Sequence, residues 1–148
     1  MRKIYNIVLQ SGIGDGTLSN ETFFYDWSQI PDVPYRVTFT FTSATTPITS
    51  NAGVVSLYID LSQSYNQLAR PQITNGPINN GQFLGNLFYG FVSANNFLYA
   101  ENNTNPPTYL NGRPKSNNFA VQIHTLPYTD YTPSVNHYSL ILSFEEWL

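Results

Sequence analysis

The chain contains no cysteine. Disulfide frameworks, thiolate nucleophiles and zinc–thiolate sites are therefore excluded. Charge is scarce as well, at 10% of the 148 residues, against about 25% in an ordinary soluble domain. The net charge is −3 and the pI about 5.1. The basic residues are Arg2, Lys3, Arg36, Arg70, Arg113 and Lys115, scattered along the chain. Phosphate recognition needs clustered Lys and Arg, so this distribution argues against a nucleic-acid partner. It also lacks the polybasic run that holds a protein on an anionic membrane. No apolar run approaches the roughly 18 residues of a transmembrane helix, so no membrane insertion is expected. The opening "MRKIYNIVLQSG" has two basic residues before an apolar stretch, as a signal peptide does. That stretch is short, Asn6 and Gln10 interrupt it, and no small-residue cleavage pattern follows. It is expected to be a first strand.

What the chain does have is aromatic and apolar residues, 16% and 41% respectively. Its polar positions are filled mainly by Asn, Ser, Thr and Gln. Aromatic and β-branched residues suit strands, and the common helix formers Glu and Lys are few. The length fits one domain, residues 1–148, able to bury roughly 68–70% of the surface of its unfolded chain. Period-two alternation between turn signals predicts strands at 3–10, 22–28, 35–42, 53–61, 83–92, 96–100, 118–126 and 137–145. In the second, Phe23, Tyr25 and Trp27 share a face. In the fourth, Val55, Leu57, Ile59 and Leu61 face one way and Ser56, Tyr58 and Asp60 the other. Residues 61–70 read as one helical turn or as a kinked strand. Eight strands predict an all-β fold, an antiparallel β-sandwich of the single jelly-roll type. Its expected core includes Phe39, Phe41, Leu57, Ile59, Phe119, Val121, Leu140 and Leu142. The Pro, Gly and Asn residues gather between the strands, where turn dihedrals are set.

Candidate chemical groups are few. Asp26 beside Trp27 reads either as a general base next to an aromatic platform or as part of a structural corner, with Trp27 a core anchor at the end of a strand and Asp26 or Ser28 capping the turn before Pro31. A catalytic carboxylate needs a partner and the sequence indicates none, so the structural role is expected. His124 and His137 are the only histidines. Two ligands at that spacing make a poor metal site. No G-x-S-x-G elbow is present, and a serine–histidine–acid triad is a matter of geometry. "GIGDG" at 12–16 lacks the Gly-Lys-Ser/Thr ending of a phosphate loop. Asn20 and Asn102 match the N-glycosylation pattern, as chance allows in an Asn- and Thr-rich chain. Tyr65, Tyr89, Tyr99, Tyr109, Tyr128 and Tyr131 are expected in loops, where interface contact, a glycan platform or plain loop packing are all open. The loops 43–53, 70–82 and 100–117 are the expected contact surface. Tyr109 and Arg113 are its candidate hot spots, since Tyr and Arg dominate binding energy at interfaces.

The segment "NETFFYDWSQIPDVPYRVTFTFTS" (20–43), with "NNFAVQIHT" (117–125) and the closing "NHYSLILSFEEW" (136–147), resembles small minor capsid proteins of nucleocytoplasmic large DNA viruses. The shared pattern is an aromatic–Asp–Trp–Ser segment, a proline-containing corner, a Tyr-x-Val-x-Phe-x-Phe strand and a final strand ending in Phe-Glu. That resemblance implies a non-enzymatic single jelly-roll with no cofactor, lying in or under the virion shell. Its partners would be the major capsid protein and other minor capsid proteins, met in the host cytoplasm. The competing expectation is a lectin-like or receptor-binding module using loop tyrosines on a glycan.

Overall fold

Alternation of large apolar and small polar side chains produces strands throughout this chain. The structure is a computed structural model; residues 2–12, 20–45, 55–61, 82–92, 95–125, 129–130 and 135–148 are described. The strands are β1 (Ile4–Gln10), β2 (Asn20–Phe24), β3 (Tyr35–Thr45), β4 (Val55–Ile59), β5 (Gln82–Val92), β6 (Asn95–Ala100), β7 (Thr108–Leu110), β8 (Asn118–Thr125), β9 (Thr129–Asp130) and β10 (Val135–Glu146). One 3-10 turn, Trp27–Gln29, is the only helical element among the described residues. Residues 61–70 lie, apart from Leu61, outside the described residues, as do most of the loops at 43–53 and 70–82.

The pairings are nested and all antiparallel. Strand β4 pairs with β5, β3 with β6, β2 with β8 and β1 with β10. A long hairpin of this kind, rolled over so that β10 meets β3 and β8 meets β4, is a jelly roll. One sheet runs β1-β10-β3-β6 with β7 on β3, and the other runs β2-β8-β4-β5 with β9 on β8. The two sheets are joined by β5. Its first half pairs with β4 and its second half, from Phe88, pairs with β6.

The inward faces make one core. Phe39, Phe41, Leu57, Ile59, Phe119, Val121, Leu140 and Leu142 are all buried, as their alternation predicts. Strand β4 departs from that pattern, because Ser56 and Tyr58 are buried as well. Ser56 donates to Asn86 Oδ1 at 3.0 Å, and the Tyr58 ring meets Phe83 edge-on at 5.8 Å. A second departure is at 22–28. Strand β2 ends at Phe24, because the Asp26 carboxylate caps the 3-10 turn that follows. Trp27 thus enters the core from a turn and not from a strand.

The transfer of β5 between sheets depends on Gly85 and Asn105. Leu57 faces Gly85 while Tyr58 faces Phe83, so Leu84 is the extra residue of a bulge. At that point the Asn105 amide acts as a short stretch of strand. Its Oδ1 accepts from Asn86 N at 2.9 Å and its Nδ2 donates to Asn86 O at 3.0 Å. A Cβ on Gly85 would lie 2.6 Å from Asn105 Cγ and 2.8 Å from Phe39 Cε1. Only glycine leaves room for the amide. Gly85→Ala is expected to destabilise by about 1–3 kcal/mol through overpacking. Asn105→Ala should cost about 1–3 kcal/mol by leaving the Asn86 amide and carbonyl without partners. Denaturant titration of each variant checks both, and a neutral Gly85→Ala would reject the close approach described.

Candidate functional site

A polar cleft lies where the Asp26–Ser28 turn meets residues 111–117. Its volume is about 510 Å³, and its lining includes Asp26, Ser28, Asp32, Arg113, Lys115 and Asn117. The turn forms because Asp26 is followed by groups it can hold. Its Oδ1 accepts from Ser28 N at 3.1 Å and from Ser28 Oγ at 2.6 Å. These two bonds hold the Asp26 carboxyl below its ordinary pKa, the hydroxyl contributing most and Arg113 least. Asp26 Oδ1 is engaged in its own turn.

Trp27 behind it is 1% exposed. Its indole N–H donates to Ser116 O at 3.0 Å, and its backbone N–H to Asn117 Oδ1 at 3.3 Å. Its ring meets Tyr25, Phe119 and Phe144 at 4.8, 5.5 and 5.2 Å. The sequence expectation of a core anchor beside a turn cap is what the structure contains. The chain then turns through Pro31 and Pro34. There Tyr35, fully buried, donates its hydroxyl back to Pro31 O, in the manner of a tyrosine corner. Burial pushes the Tyr35 phenol up to about 12.

Arg113 has a place in this scaffold. Its guanidinium donates to Ile30 O at 3.0 Å, and its backbone N–H to Asp32 Oδ1 at 3.2 Å. Tyr109, the other candidate, sits on β7 and not in a loop, and it has a different set of partners. Its ring lies 6.0 Å from that of Trp147. The Arg2 guanidinium covers the same indole at 3.9 Å, and that of Arg36 stands 5.6 Å away. Glu145 pairs with both cations, at 3.7 Å to Arg2 and 3.5 Å to Arg36. The structure therefore assigns Tyr109 and Arg113 to separate clusters. The Arg2–Arg36–Trp147 group carries no signal in the sequence, since its members come from segments far apart in the chain.

His137 meets a serine. Its Nδ1 lies 3.0 Å from Ser11 Oγ, within reach of proton transfer. That oxygen also accepts from Tyr138 N at 2.9 Å, while Ser11 N donates to Tyr138 O at 3.1 Å. The nearby Gly12 N–H is bonded to Glu21 Oε1 at 2.7 Å. The Ser11 bonds fasten the end of β1 to β10 and the Gly12 bond ties it to β2, so both amides are engaged. His124 lies on β8 and Asn20 on β2, their side chains outside the description; Gly12 is the one described residue of "GIGDG". Asn102 is exposed and accepts from Thr40 Oγ1 at 2.9 Å. Tyr99 sits on β6 with Phe88 and Phe97 at 6.0 and 5.5 Å. Tyr65, Tyr128 and Tyr131 fall outside the described residues, and Tyr89 is on β5 with its side chain likewise. Among the described residues, no group of three His, Cys, Asp or Glu side chains could hold a metal ion, and no helix is long and apolar enough to cross a membrane.

Compared with family models, curated proteins and solved structures, the chain matches none.

Two predictions follow from this geometry. Trp27→Ala should cost about 3–5 kcal/mol, the range for a large buried aromatic. Asp26→Asn should cost far less at neutral pH and show a distinctive pH dependence. The folded pKa of Asp26 lies below its ordinary 3.8, so its stabilisation is complete above that value and declines as pH falls through the folded pKa. Urea titrations from pH 7 to pH 3 should show the wild type losing its advantage over Asp26→Asn at the acid end. A constant difference across that range would remove the proposed cap.

Proposed function

We propose that this protein is a non-enzymatic structural component of a virion, a minor capsid protein that packs against and cements capsomers of the major capsid protein. The observation that carries the reading is the distribution of uncovered apolar side chains. Ile4 and Val8 on β1 are 58% and 55% exposed, Phe24 at the end of β2 is 69% exposed, and Phe88 on β5 is 38% exposed. They belong to different sheets, with β1 and β2 at the two ends of the strand path and β5 in its middle. Exposed apolar surface on several sides fits a protein wedged among neighbours. A lectin would concentrate its special surface at one loop end. Among the described residues, the cleft at the Asp26–Ser28 turn has Trp27 as its only aromatic lining, and that ring is buried.

The outer face of the first sheet supports the same reading. Ser143 Oγ donates to Asn6 Oδ1 at 2.7 Å and Thr40 Oγ1 to Asn102 Oδ1 at 2.9 Å. Hydroxyls and amides already bonded to one another are covered by a partner at lower cost than charges. The fold, the low charge and the sequence resemblance are consistent with this role.

The test is assembly. Particles formed with Phe24→Ser or Tyr109→Ala should contain several-fold less of this protein relative to the main shell protein. The isolated variants should keep the wild-type melting temperature, since both positions lie outside the core. Arg113→Ala is unsuitable here, because its guanidinium holds Ile30 O and its loss should destabilise the domain itself. An unchanged protein ratio in both variants would reject the capsid role of these surfaces. Loss of binding to a glycan array in its place would favour the lectin reading.

A further inference from the structure

Strand β1 is at one end of the strand path. Among the described residues it pairs with β10 alone. The register runs unbroken from Ile4 opposite Glu145 to Gln10 opposite Ser139. Just outside it, Lys3 O accepts from Glu146 N and Ser11 N donates to Tyr138 O. Odd-numbered residues therefore spend their backbone bonds on β10. By the alternation of an antiparallel ladder, Ile4, Asn6, Val8 and Gln10 turn their N–H and C=O groups to the free edge. The same four residues have their side chains exposed on the outer face.

Edge strands normally carry a device that blocks further pairing: a charge, a proline, a bulge or an inward-pointing ionisable group. Strand β2, at the other end of the path, has one. It is five residues long, and its Glu21 is half-buried, with Oε1 on the Gly12 amide. Strand β1 has no charge, no proline and no register shift over its seven residues.

We infer that the free edge of β1 is a pairing surface for β1 of a second copy of this chain, related by a two-fold axis through Asn6. The strand is self-complementary in that arrangement. Ile4 lies opposite Val8 of the second copy, Asn6 opposite Asn6, and Val8 opposite Ile4. Apolar side chains thus meet apolar side chains on the outer face, and two amides meet at the axis. Each hydrogen-bonded pair uses edge groups that β10 leaves free. The cations select this direction. Arg2 and Lys3 precede the strand, so in the antiparallel pair the two basic ends lie at opposite ends of the contact. A parallel pair would bring them together. The paired β1 strands merge the two first sheets into one continuous sheet. This self-association is independent of the capsid reading and is tested without particles.

The chain has no cysteine, so a single introduced thiol reports on the axis. Opposed residues in a hydrogen-bonded antiparallel pair have Cα atoms about 5.5 Å apart, inside the range a disulfide spans. Under mild oxidation Asn6→Cys should give a cross-linked dimer, whereas Gln10→Cys, opposite Arg2, should not. Analytical ultracentrifugation of the wild-type protein should show a concentration-dependent monomer–dimer equilibrium. Val8→Lys places a charge in both symmetry-related rows and should weaken that equilibrium about tenfold. Its melting temperature should stay near the wild-type value, since Val8 is 55% exposed. A wild-type protein that remains monomeric at millimolar concentration overturns the inference. Equal cross-linking of Asn6→Cys and Gln10→Cys overturns the two-fold register.

Discussion

The indole of Trp27 is the contact on which one end of this molecule depends. It belongs to neither sheet, yet its ring touches Phe119 of β8 and Phe144 of β10, one from each. Facing sheets pack about 10 Å apart, and a large rigid ring held at the open end of the gap fixes that spacing. The ring cannot move, because its N–H is held by Ser116 O and its backbone by Asn117 Oδ1. The surrounding features follow from this placement. Asp26 shapes the turn that delivers the indole. The proline corner and the Tyr35 hydroxyl return the chain to β3. Residues 111–117 close over the top, with Arg113 fastened to Ile30 O and the Asp32 carboxylate. The polar cleft on this surface is the outer side of a closure built around a tryptophan.

Much of the fold was legible because the side-chain period of a strand is written directly into sequence. The run from Tyr35 to Thr42 alternates cleanly, and every apolar member is buried. The same holds for Phe119, Val121 and Ile123 and for Leu140, Leu142 and Phe144. What alternation cannot show is a strand supplied by a side chain. The pairing of Asn105 with Asn86 gives β5 its change of sheet, and nothing about an Asn in "NNTNPP" distinguishes it from its neighbours. Short strands escape for a related reason: β7 and β9 are too brief for a period to emerge.

The candidate site was legible only in part. Asp26 and Trp27 were readable because cap, turn and aromatic anchor are local chemistry. Tyr109 and Arg113 are close in sequence and have different surroundings, since the chain turns between them at Asn111–Gly112. A Cβ on Gly112 would come within 2.6 Å of Asp32 Oδ1, so the turn is pressed against that carboxylate. The cluster of Arg2, Arg36, Tyr109 and Trp147 arises purely from topology. Edge-to-edge register between β1, β10 and β3 brings residues from four separate segments to one place.

The nesting of the pairings also bears on how the molecule comes into being. Strand β10 lies between β1 and β3, yet it follows every other described strand in the chain. A nascent chain still lacking it has β1 with no neighbour and β3 with one side open. The first sheet cannot close until β10 has left the ribosome. Among the described strands, β4 with β5, β5 with β6 and β8 with β9 pair neighbours in the chain, and the other partners close larger loops. Contacts of such long sequence separation make folding slow and the unfinished chain prone to sticking. For this protein the vulnerable interval is translation itself, when both edges of β1 are exposed and the strand that pairs with one of them has yet to be made.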